Sequence, residues 1–250
     1  MLQTIIQKAT TVLALSMLLI AGAACQQQSG TDNAAATGET EGGGTMTEAD
    51  ADGWQTLEAG DGHWRGYQTD SLPPAWVVTD DGALYFSGDG DGGDIVTREQ
   101  YDNFELELEW KISEAGNSGI MFRVSEDHDA PWRTGPEIQV LDDAGHPDAQ
   151  NGEDRLAGAN YDMHPPSKNA VKPAGEWNHV RLVVDGAHVE HWMNGEKIVE
   201  YELWSDAWKA RIAESKWIDM PDYGMKEAGH ICLQDHGDPV WYRNVRIRRL

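Results

Sequence analysis

Short runs of β-branched and aromatic residues recur along most of the chain, and Gly, Pro, Asn or Asp residues separate them. The run at 104–110 constrains the fold most, because one Phe, two Leu and one Trp alternate strictly with three glutamates. Successive side chains of a β-strand point to opposite faces, so this run predicts a strand with its apolar face in a core and its glutamates towards solvent. Many short strands with such turn signals are typical of an all-β fold.

The same pattern predicts further strands on both sides of this run. With it, the expected strands are 76–78, 83–87, 93–97, 104–112, 118–124, 136–141, 179–185, 188–193, 197–202, 230–235 and 240–248. One helix is expected at 205–216, because Ser205 is a good N-cap and Pro221 follows its end. Antiparallel strands with long loops indicate a jelly-roll-like sandwich of two antiparallel sheets, with one short helix in an insertion.

The N-terminal residues 1–24 have the pattern of an export signal. Their apolar run is too short to span a bilayer, and four small residues precede Cys25. Small residues directly before a lone Cys resemble a bacterial lipobox, which predicts that the Cys25 thiol carries a lipid. Ordinary cleavage nearby is the alternative.

Residues 25–52 have almost no large apolar side chain, so we expect a disordered acidic tether there. The remaining residues, 53–250, are enough for one jelly-roll domain. We therefore expect a periplasmic or cell-surface protein that is held to a bacterial membrane only by its lipid, and to the outer membrane if the cell is Gram-negative.

The formal net charge of −24 limits the partners. Nucleic acid and anionic membrane surfaces would repel such a chain, so neither is expected to bind it. Neutral ligands and divalent cations such as Ca²⁺ are compatible with the charge. The acidic loop at 89–94 has the composition of a calcium-binding loop, although a flexible loop without an ion is the alternative. No metal or cofactor is certain from the sequence.

Polar residues lie on segments that otherwise carry core residues, where they are costly without a partner or a task. Glu137 and Gln139 are two residues apart on a predicted strand, so they share a face. Arg123 alternates with Gly119 and is expected to line the same surface. His236 follows the predicted strand that carries Gln234, and imidazole is a common general base and metal ligand.

Four further candidate residues have open alternatives. Asp142 follows a strand end, where it can bind a cation, act in catalysis or cap a turn. His191 is expected to face the ligand, with the opposite face of its strand as the alternative. Tyr161 and Asp162 either contact a substrate or order their long loop.

Six motifs occur in order along the chain: GNSGIMFR at 116–123, GPEIQVLD at 135–142, GANYD at 158–162, GEWN at 175–178, VEHWMNG at 189–195 and QDHG at 234–237. Together they resemble the 3-keto-disaccharide hydrolase domain family. The resemblance implies a concanavalin-like jelly roll that acts on glycosides already oxidised to a ketone at the third ring carbon.

These observations favour a hydrolase of 3-keto disaccharides or 3-keto glycosides that uses enolate chemistry. His236 is then the base or a metal ligand, and Glu137 is an acid, a base or a metal ligand. The residues expected to bind the substrate are Arg123, Gln139, Asp142, Tyr161, Asp162, His191 and Gln234. A carbohydrate-binding lipoprotein without catalysis is the main alternative, because eleven tryptophans on a sandwich suit sugar binding equally well. A structural envelope lipoprotein with no sugar affinity is the third.

Overall fold

A computed structural model describes residues 49–250, which form two antiparallel β-sheets packed face to face with a shared core. The predicted all-β sandwich is confirmed. The expected export signal, Cys25 and most of the tether lie outside the described residues. Within the described part of the chain, no helix is long and apolar enough to cross a membrane.

The larger sheet has eight strands. They are β1 Gln55–Thr56, β3 Trp76–Val78, β4 Leu84–Phe86, β6 Phe104–Ile112, β9 Asn178–Asp185, β10 His188–Met193, β11 Glu196–Glu202 and β13 Val240–Arg249. Their order is β11-β10-β9-β6-β13-β4-β3, and β1 pairs with a later part of β13. Tight turns at Asp185-Gly186 and Asn194-Gly195, dipeptides that favour hairpins, join β9, β10 and β11 into an antiparallel meander.

The smaller sheet has five strands. They are β2 Trp64–Gly66, β5 Ile95–Thr97, β7 Asn117–Val124, β8 Glu137–Leu141 and β12 His230–Leu233. Their order is β2-β5-β12-β7-β8. The sequence did not predict β1 and β2, which have only two and three residues.

The core between the sheets follows the alternation of the long strand β6. Its Phe104, Leu106, Leu108 and Trp110 are at most 1% exposed and face the inner side of the smaller sheet. The glutamates between them do not form the solvated face that was expected. Glu105 is 3% exposed and is paired with Arg181 and Arg248, so the outer face of this sheet carries a ladder of ion pairs.

The outer face of the smaller sheet is also covered. Val96, Met121, Val124 and Cys232 form a second, small apolar cluster there, and Trp132 packs against it. Cys232 is a free, buried cysteine, as expected of a small core residue. This cluster lies on the same sheet face as the polar residues of the candidate site.

One helix, α1 at Asp206–Glu214, lies in an insertion after β11, where a helix was predicted. Ser205 caps it by accepting a hydrogen bond from the backbone N–H of Trp208, at 3.1 Å. Stacked rings hold the insertion, with centroids 5.9 Å apart for Trp208 and Tyr223 and 4.0 Å apart for Tyr223 and Trp217. Four 3-10 turns complete the structure, at Pro131–Arg133, Pro147–Asn151, Glu153–Arg155 and Lys216–Asp219.

Candidate functional site

A cavity of about 390 Å³ lies over the polar part of the smaller sheet. Strands β7 and β8 and the chain after β12 supply its floor, and the helical insertion supplies part of its wall. Its lining residues are Asp94, Asn117, Trp132, Glu137, Gln139, Tyr161, Lys216, Trp217, Met220, Gln234, Asp235 and His236.

The cavity brings together five of the side chains that the sequence predicted for the site. Glu137 and Gln139 come from β8, Tyr161 from the following long loop, and Gln234 and His236 from the chain after β12. These segments are adjacent because β7 pairs with both β8 and β12. The carboxylate from mid-sequence and the imidazole near the C-terminus therefore share one hollow.

Glu137 is 5% exposed and lies beside Gly119 of the neighbouring strand. A Cβ atom at Gly119 would overlap the Glu137 carboxyl group, so the missing side chain makes room for it. Burial raises the pKa of Glu137 to about 8, although the nearby Lys216 ammonium group acts in the opposite direction. Glu137 is therefore mainly protonated at neutral pH and can act as an acid.

Three amide oxygens in the cavity lack a hydrogen-bond partner. They belong to Asn117, Gln139 and Gln234, which are 5%, 1% and 9% exposed. A buried polar atom without a partner costs about 1–3 kcal/mol, so such atoms are rare unless a ligand satisfies them. Three acceptors in one cavity favour a ligand with several hydroxyl donors.

Two aspartates lie beside His236 at the cavity. The Asp94 carboxylate accepts a hydrogen bond from the Asp235 backbone N–H at 3.0 Å, and burial raises the pKa of Asp94 to about 6. The Asp235 carboxylate accepts from the backbone N–H groups of Gly93 and Gly237, at 2.6 and 2.9 Å. Asp235 is thus held by its own loop and does not orient the imidazole of His236.

His236 is exposed at the rim of the cavity. Its Nε2 lies 3.5 Å from the side-chain amide nitrogen of Asn117, and its ring meets that of His146 edge-on at 6.5 Å. The exposed ring can therefore be reached by a ligand, as a base requires.

The wall opposite the floor is aromatic and carries one positive charge. The Tyr161 hydroxyl donates to Asp148 at 2.9 Å and accepts from Arg155 at 2.7 Å, which fixes its ring. Lys216 Nζ lies 4.0 Å from the centre of that ring and 4.3 Å from that of Trp217. Partial desolvation beside these rings lowers the pKa of Lys216, although the residue as a whole is exposed.

Arg123 does not line the cavity, although alternation with Gly119 predicted that it would. The pairing of β7 with β12 shifts register beside it, and Arg123 has a φ of +51°. This bulge turns the guanidinium group to the carbonyl of Asp102, at 2.8 Å, and towards the ring of Trp204.

Asp142 and His191 are also placed away from the cavity. Asp142 accepts from the backbone N–H groups of Ala115 and Ala144, which is the turn-capping alternative. His191 is 1% exposed and faces the core, where its Nδ1–H donates to the carbonyl of Gly158 at 3.0 Å. His191 lies on the side of β10 that faces the core. The sequence alone did not show which side of this strand faces the core.

Asp162 lies behind the wall and supports it. Its carboxylate accepts from the backbone N–H of Lys216 at 2.7 Å and is paired with Arg155. It therefore joins the long loop to the helical insertion and does not contact the hollow.

Sequence reasoning missed several lining residues, notably Asp94, Lys216 and Trp217. Asp94 was noted only as part of a possible calcium loop, and the insertion was treated as a plain helix. A Lys-Trp pair just after a helix is a weak signal, because such residues usually lie on a solvated surface. Only the tertiary packing of the insertion shows their role.

One cluster outside the cavity has the geometry of a cation site. Ligand atoms of His188, Glu190 and Glu200 lie within 4.8 Å of one another on β10 and β11. The Lys197 ammonium group already binds both glutamates, at 3.0 and 2.7 Å. It neutralises the charge that would attract an ion.

Comparison with known proteins agrees with the fold and with the carbohydrate interpretation. Residues 47–248 match the 3-keto-alpha-glucoside-1,2-lyase-like domain. A 3-keto-disaccharide hydrolase of Bacteroides thetaiotaomicron is 38% identical, with 80% of each chain covered.

Two crystal structures of candidate glycosyl hydrolases from Parabacteroides distasonis share the fold. One has 36% sequence identity and a TM-score of 0.74, and the match covers 80% of this chain and 95% of that chain. The other has 29% identity and a TM-score of 0.57, and the match covers 75% of this chain and 99% of that chain. The expected resemblance and the hydrolase class are thereby confirmed, and this chain belongs to the family of 3-keto-alpha-glucoside-1,2-lyase-like domains.

Proposed function

We propose that this protein cleaves glycosides whose sugar ring carries a ketone at its third carbon. The observation that carries the proposal is a buried Glu137, whose pKa burial raises, in the same hollow as the exposed imidazole of His236. The named activity of the Bacteroides thetaiotaomicron relative supports the choice of substrate. The hydroxyl groups of a sugar match the three unpartnered amide oxygens.

The ketone makes an elimination pathway available. A base removes the proton on the second carbon, and the electron pair forms a C2–C3 double bond while the ketone oxygen becomes an enolate oxygen. The enolate then reforms the ketone, a C1–C2 double bond forms, and the bond from C1 to the glycosidic oxygen breaks. An acid protonates the departing alcohol, and water later adds across C1 and C2 to complete the hydrolysis.

The cavity offers one residue for each proton transfer. We assign the removal of the C2 proton to His236, because its ring is exposed at the rim and, among the described residues, only one of its nitrogens, Nε2, has a contact, the long one to Asn117. Glu137 gives its proton to the leaving oxygen, because burial keeps it protonated at neutral pH. An ordinary glycosidase needs two carboxyl groups flanking one bond, whereas this pathway needs a base beside a ketone.

Aromatic side chains give the sugar an apolar surface. Trp132, Tyr161 and Trp217 line the same cavity as the amides. Sugar C–H groups stack on aromatic faces, whose quadrupole is negative. The ring is therefore expected to lie between these aromatic groups and the polar floor.

The test is the release of free alcohol from a 3-keto disaccharide, beside the same disaccharide without the ketone. Wild type should cleave only the oxidised sugar, and Glu137→Gln and His236→Ala should each lower kcat by at least about 10²-fold while the fold persists. Glu190→Gln is the matched control, since Glu190 lies on the other sheet. Full activity in both cavity variants would refute the assignment.

A reaction in D₂O tests the elimination step. The pathway breaks the C2–H bond and rebuilds it from solvent, so the early product should carry one deuterium at C2. The substrate incubated without enzyme gives the background. Product with no deuterium above that background would indicate direct hydrolysis instead.

A carbohydrate-binding protein without catalysis is the second candidate, because the same aromatic groups and amides serve binding alone. Calorimetric titration then shows binding of oxidised and unoxidised disaccharides, with no release of alcohol over hours.

Ca²⁺ remains a prediction, because none of the steps above uses a cation. Turnover after EDTA treatment, with and without added CaCl₂, tests it. Loss of activity that CaCl₂ restores would support a calcium site.

A further inference from the structure

We propose that Lys216 binds the ketone oxygen of the substrate and so makes the site select oxidised sugars. This inference rests on the proposed function and adds the group that recognises the ketone. Among the cavity-lining residues of the described chain, Lys216 is the only Lys or Arg.

The ammonium group of Lys216 is held in place but lacks a hydrogen-bond acceptor. Its Nζ lies over the rings of Tyr161 and Trp217, at 4.0 and 4.3 Å from their centres. Within residues 49–250, no Asp or Glu carboxylate oxygen lies within 4.0 Å of Lys216 Nζ, which is the limit for an ion pair. Rings attract a cation but accept none of its three N–H donors in the way that an oxygen does.

Other lysines of the same molecule have oxygen partners. Lys197 binds two glutamates, at 3.0 and 2.7 Å, and Lys226 binds Asp127 at 2.7 Å. The Lys216 ammonium group, which lies over the rings of Tyr161 and Trp217, is therefore free to bind an oxygen atom of a ligand.

The cavity also places this ammonium near the acid. Glu137 and Lys216 line the same cavity, and within the described residues they form no ion pair with each other. A substrate group can therefore lie between them, with one part against the ammonium and another against the Glu137 carboxyl.

The Lys216 ammonium group can stabilise the negative charge that forms on the ketone oxygen during the reaction. When the C2 proton leaves, negative charge develops on the ketone oxygen, and a fixed positive group stabilises that charge more than it stabilises the neutral ketone. Arg155, the other nearby cation, is already engaged by Tyr161 and Asp162. Lys216 is thus the cationic group left for the enolate oxygen.

The support behind Lys216 fits a positioning requirement. Asp162 accepts from its backbone N–H at 2.7 Å, and Tyr161 is fixed by Asp148 and Arg155. Although Lys216 is an exposed residue, its backbone and the two rings beside its ammonium group belong to this ordered wall.

The experiment compares Lys216→Met with Lys111→Met in the full chain. Lys111 is a matched control, because its Nζ also lies over two tryptophan rings, at 4.3 and 5.0 Å, on the outer face of the larger sheet. Lys216→Met should lower kcat on a 3-keto disaccharide about 10²-fold or more, with Lys111→Met unchanged. Lys216→Arg should restore part of the loss.

Calorimetric titration of the oxidised and unoxidised disaccharides gives a second readout. Lys216→Met should weaken binding of the oxidised sugar several-fold and leave the unoxidised sugar within about threefold, since only the first presents a ketone. Equal losses for both sugars would overturn the inference, as would an unchanged kcat. If wild type releases no alcohol but Lys216→Met still loses its preference for the ketone, the proposed reaction fails and the recognition by Lys216 stands.

Discussion

At the scale of single residues, the burial of Glu137 affects both the stability of the fold and the protonation of the proposed acid. The carboxyl is buried and its pKa is raised from 4.5 to about 8, so ionisation is easier in the unfolded chain than in the folded one. The folded protein therefore keeps a protonated acid in the cavity at the cost of stability at higher pH.

This linkage predicts two pH effects of Glu137. As pH rises through about 8, Glu137 loses its proton, so kcat/KM should fall on the alkaline side. Between pH 4.5 and 8 the free energy of unfolding should also fall in wild type, because the unfolded carboxyl ionises first. Glu137→Gln should be inactive and, at pH 8, more stable than wild type by on the order of 1 kcal/mol. Urea unfolding of both proteins at pH 4.5 and pH 8 measures these free energies. A lower free energy of unfolding for Glu137→Gln than for wild type at pH 8 would contradict the prediction.

His191 predicts acid sensitivity of the fold. Burial lowers its pKa from 6.5 to about 4, so the unfolded chain takes up a proton there before the folded one does. The free energy of unfolding should fall as pH decreases from 6.5 to 4, with a His191 contribution of about 3 kcal/mol. His191→Gln should flatten this acid limb in urea unfolding.

The control for that measurement is His188→Gln. Hydrogen bonding to Glu202 raises the pKa of His188, so its effect on acid stability has the opposite sign. An acid limb that is equally steep in wild type and in His191→Gln would show that His191 is not the cause.

At the scale of elements, ion pairs between β6 and β13 stabilise the larger sheet. Glu105 is almost fully buried between Arg181 and Arg248, whereas Glu107 and Arg246 are more exposed. Removing one partner of a buried carboxylate leaves a poorly compensated charge.

Arg248→Ala should therefore lower the free energy of unfolding by about 1–3 kcal/mol. Arg246→Ala is a close control, because both guanidinium groups lie over the ring of Trp54, at 4.9 and 4.5 Å. Its more exposed pair should contribute less than about 1 kcal/mol. Equal losses in chemical unfolding would show that packing on Trp54, and not burial of Glu105, is what matters.

These strands also show what a sequence can predict. The alternation in β6 was enough to locate a strand and its core face, because that information is local. It could not show that Glu105 meets Arg181 of β9 and Arg248 of β13, which lie far along the chain. Likewise, the two-residue spacing of Glu137 and Gln139 predicted one face correctly, while a bulge turned Arg123 elsewhere.

The missed part of the site depends on packing between elements. Lys216 and Trp217 reach the cavity only because stacked rings hold the helical insertion in place. Neither ring stacking nor a register shift leaves a periodic signal in the sequence, so the part of the wall from the insertion was not predictable, although Tyr161 and the floor residues Glu137, Gln139 and Gln234 were predicted.

At the scale of the whole molecule, the expected anchor would hold a strongly acidic domain at a membrane that does not attract it. A net charge of −24 disfavours binding to anionic lipid, so we propose that any attachment depends on a lipid at Cys25. Cys25→Ala should move the protein from the membrane fraction to the soluble fraction after cell lysis. Cys232→Ala is the control, since that thiol is buried in the domain. A Cys25→Ala protein that stays in the membrane fraction would contradict lipidation.

The central claim is that one cavity, floored by β7, β8 and the chain after β12, binds the oxidised sugar between Glu137 and His236. A crystal structure of the Glu137→Gln protein with a 3-keto disaccharide tests this most directly. We predict a sugar ring whose hydroxyl groups donate to the Asn117, Gln139 and Gln234 oxygens. Its C2 should face His236, and its glycosidic oxygen should face position 137. A disaccharide bound on the outer face of the larger sheet, with this cavity empty, would contradict the account.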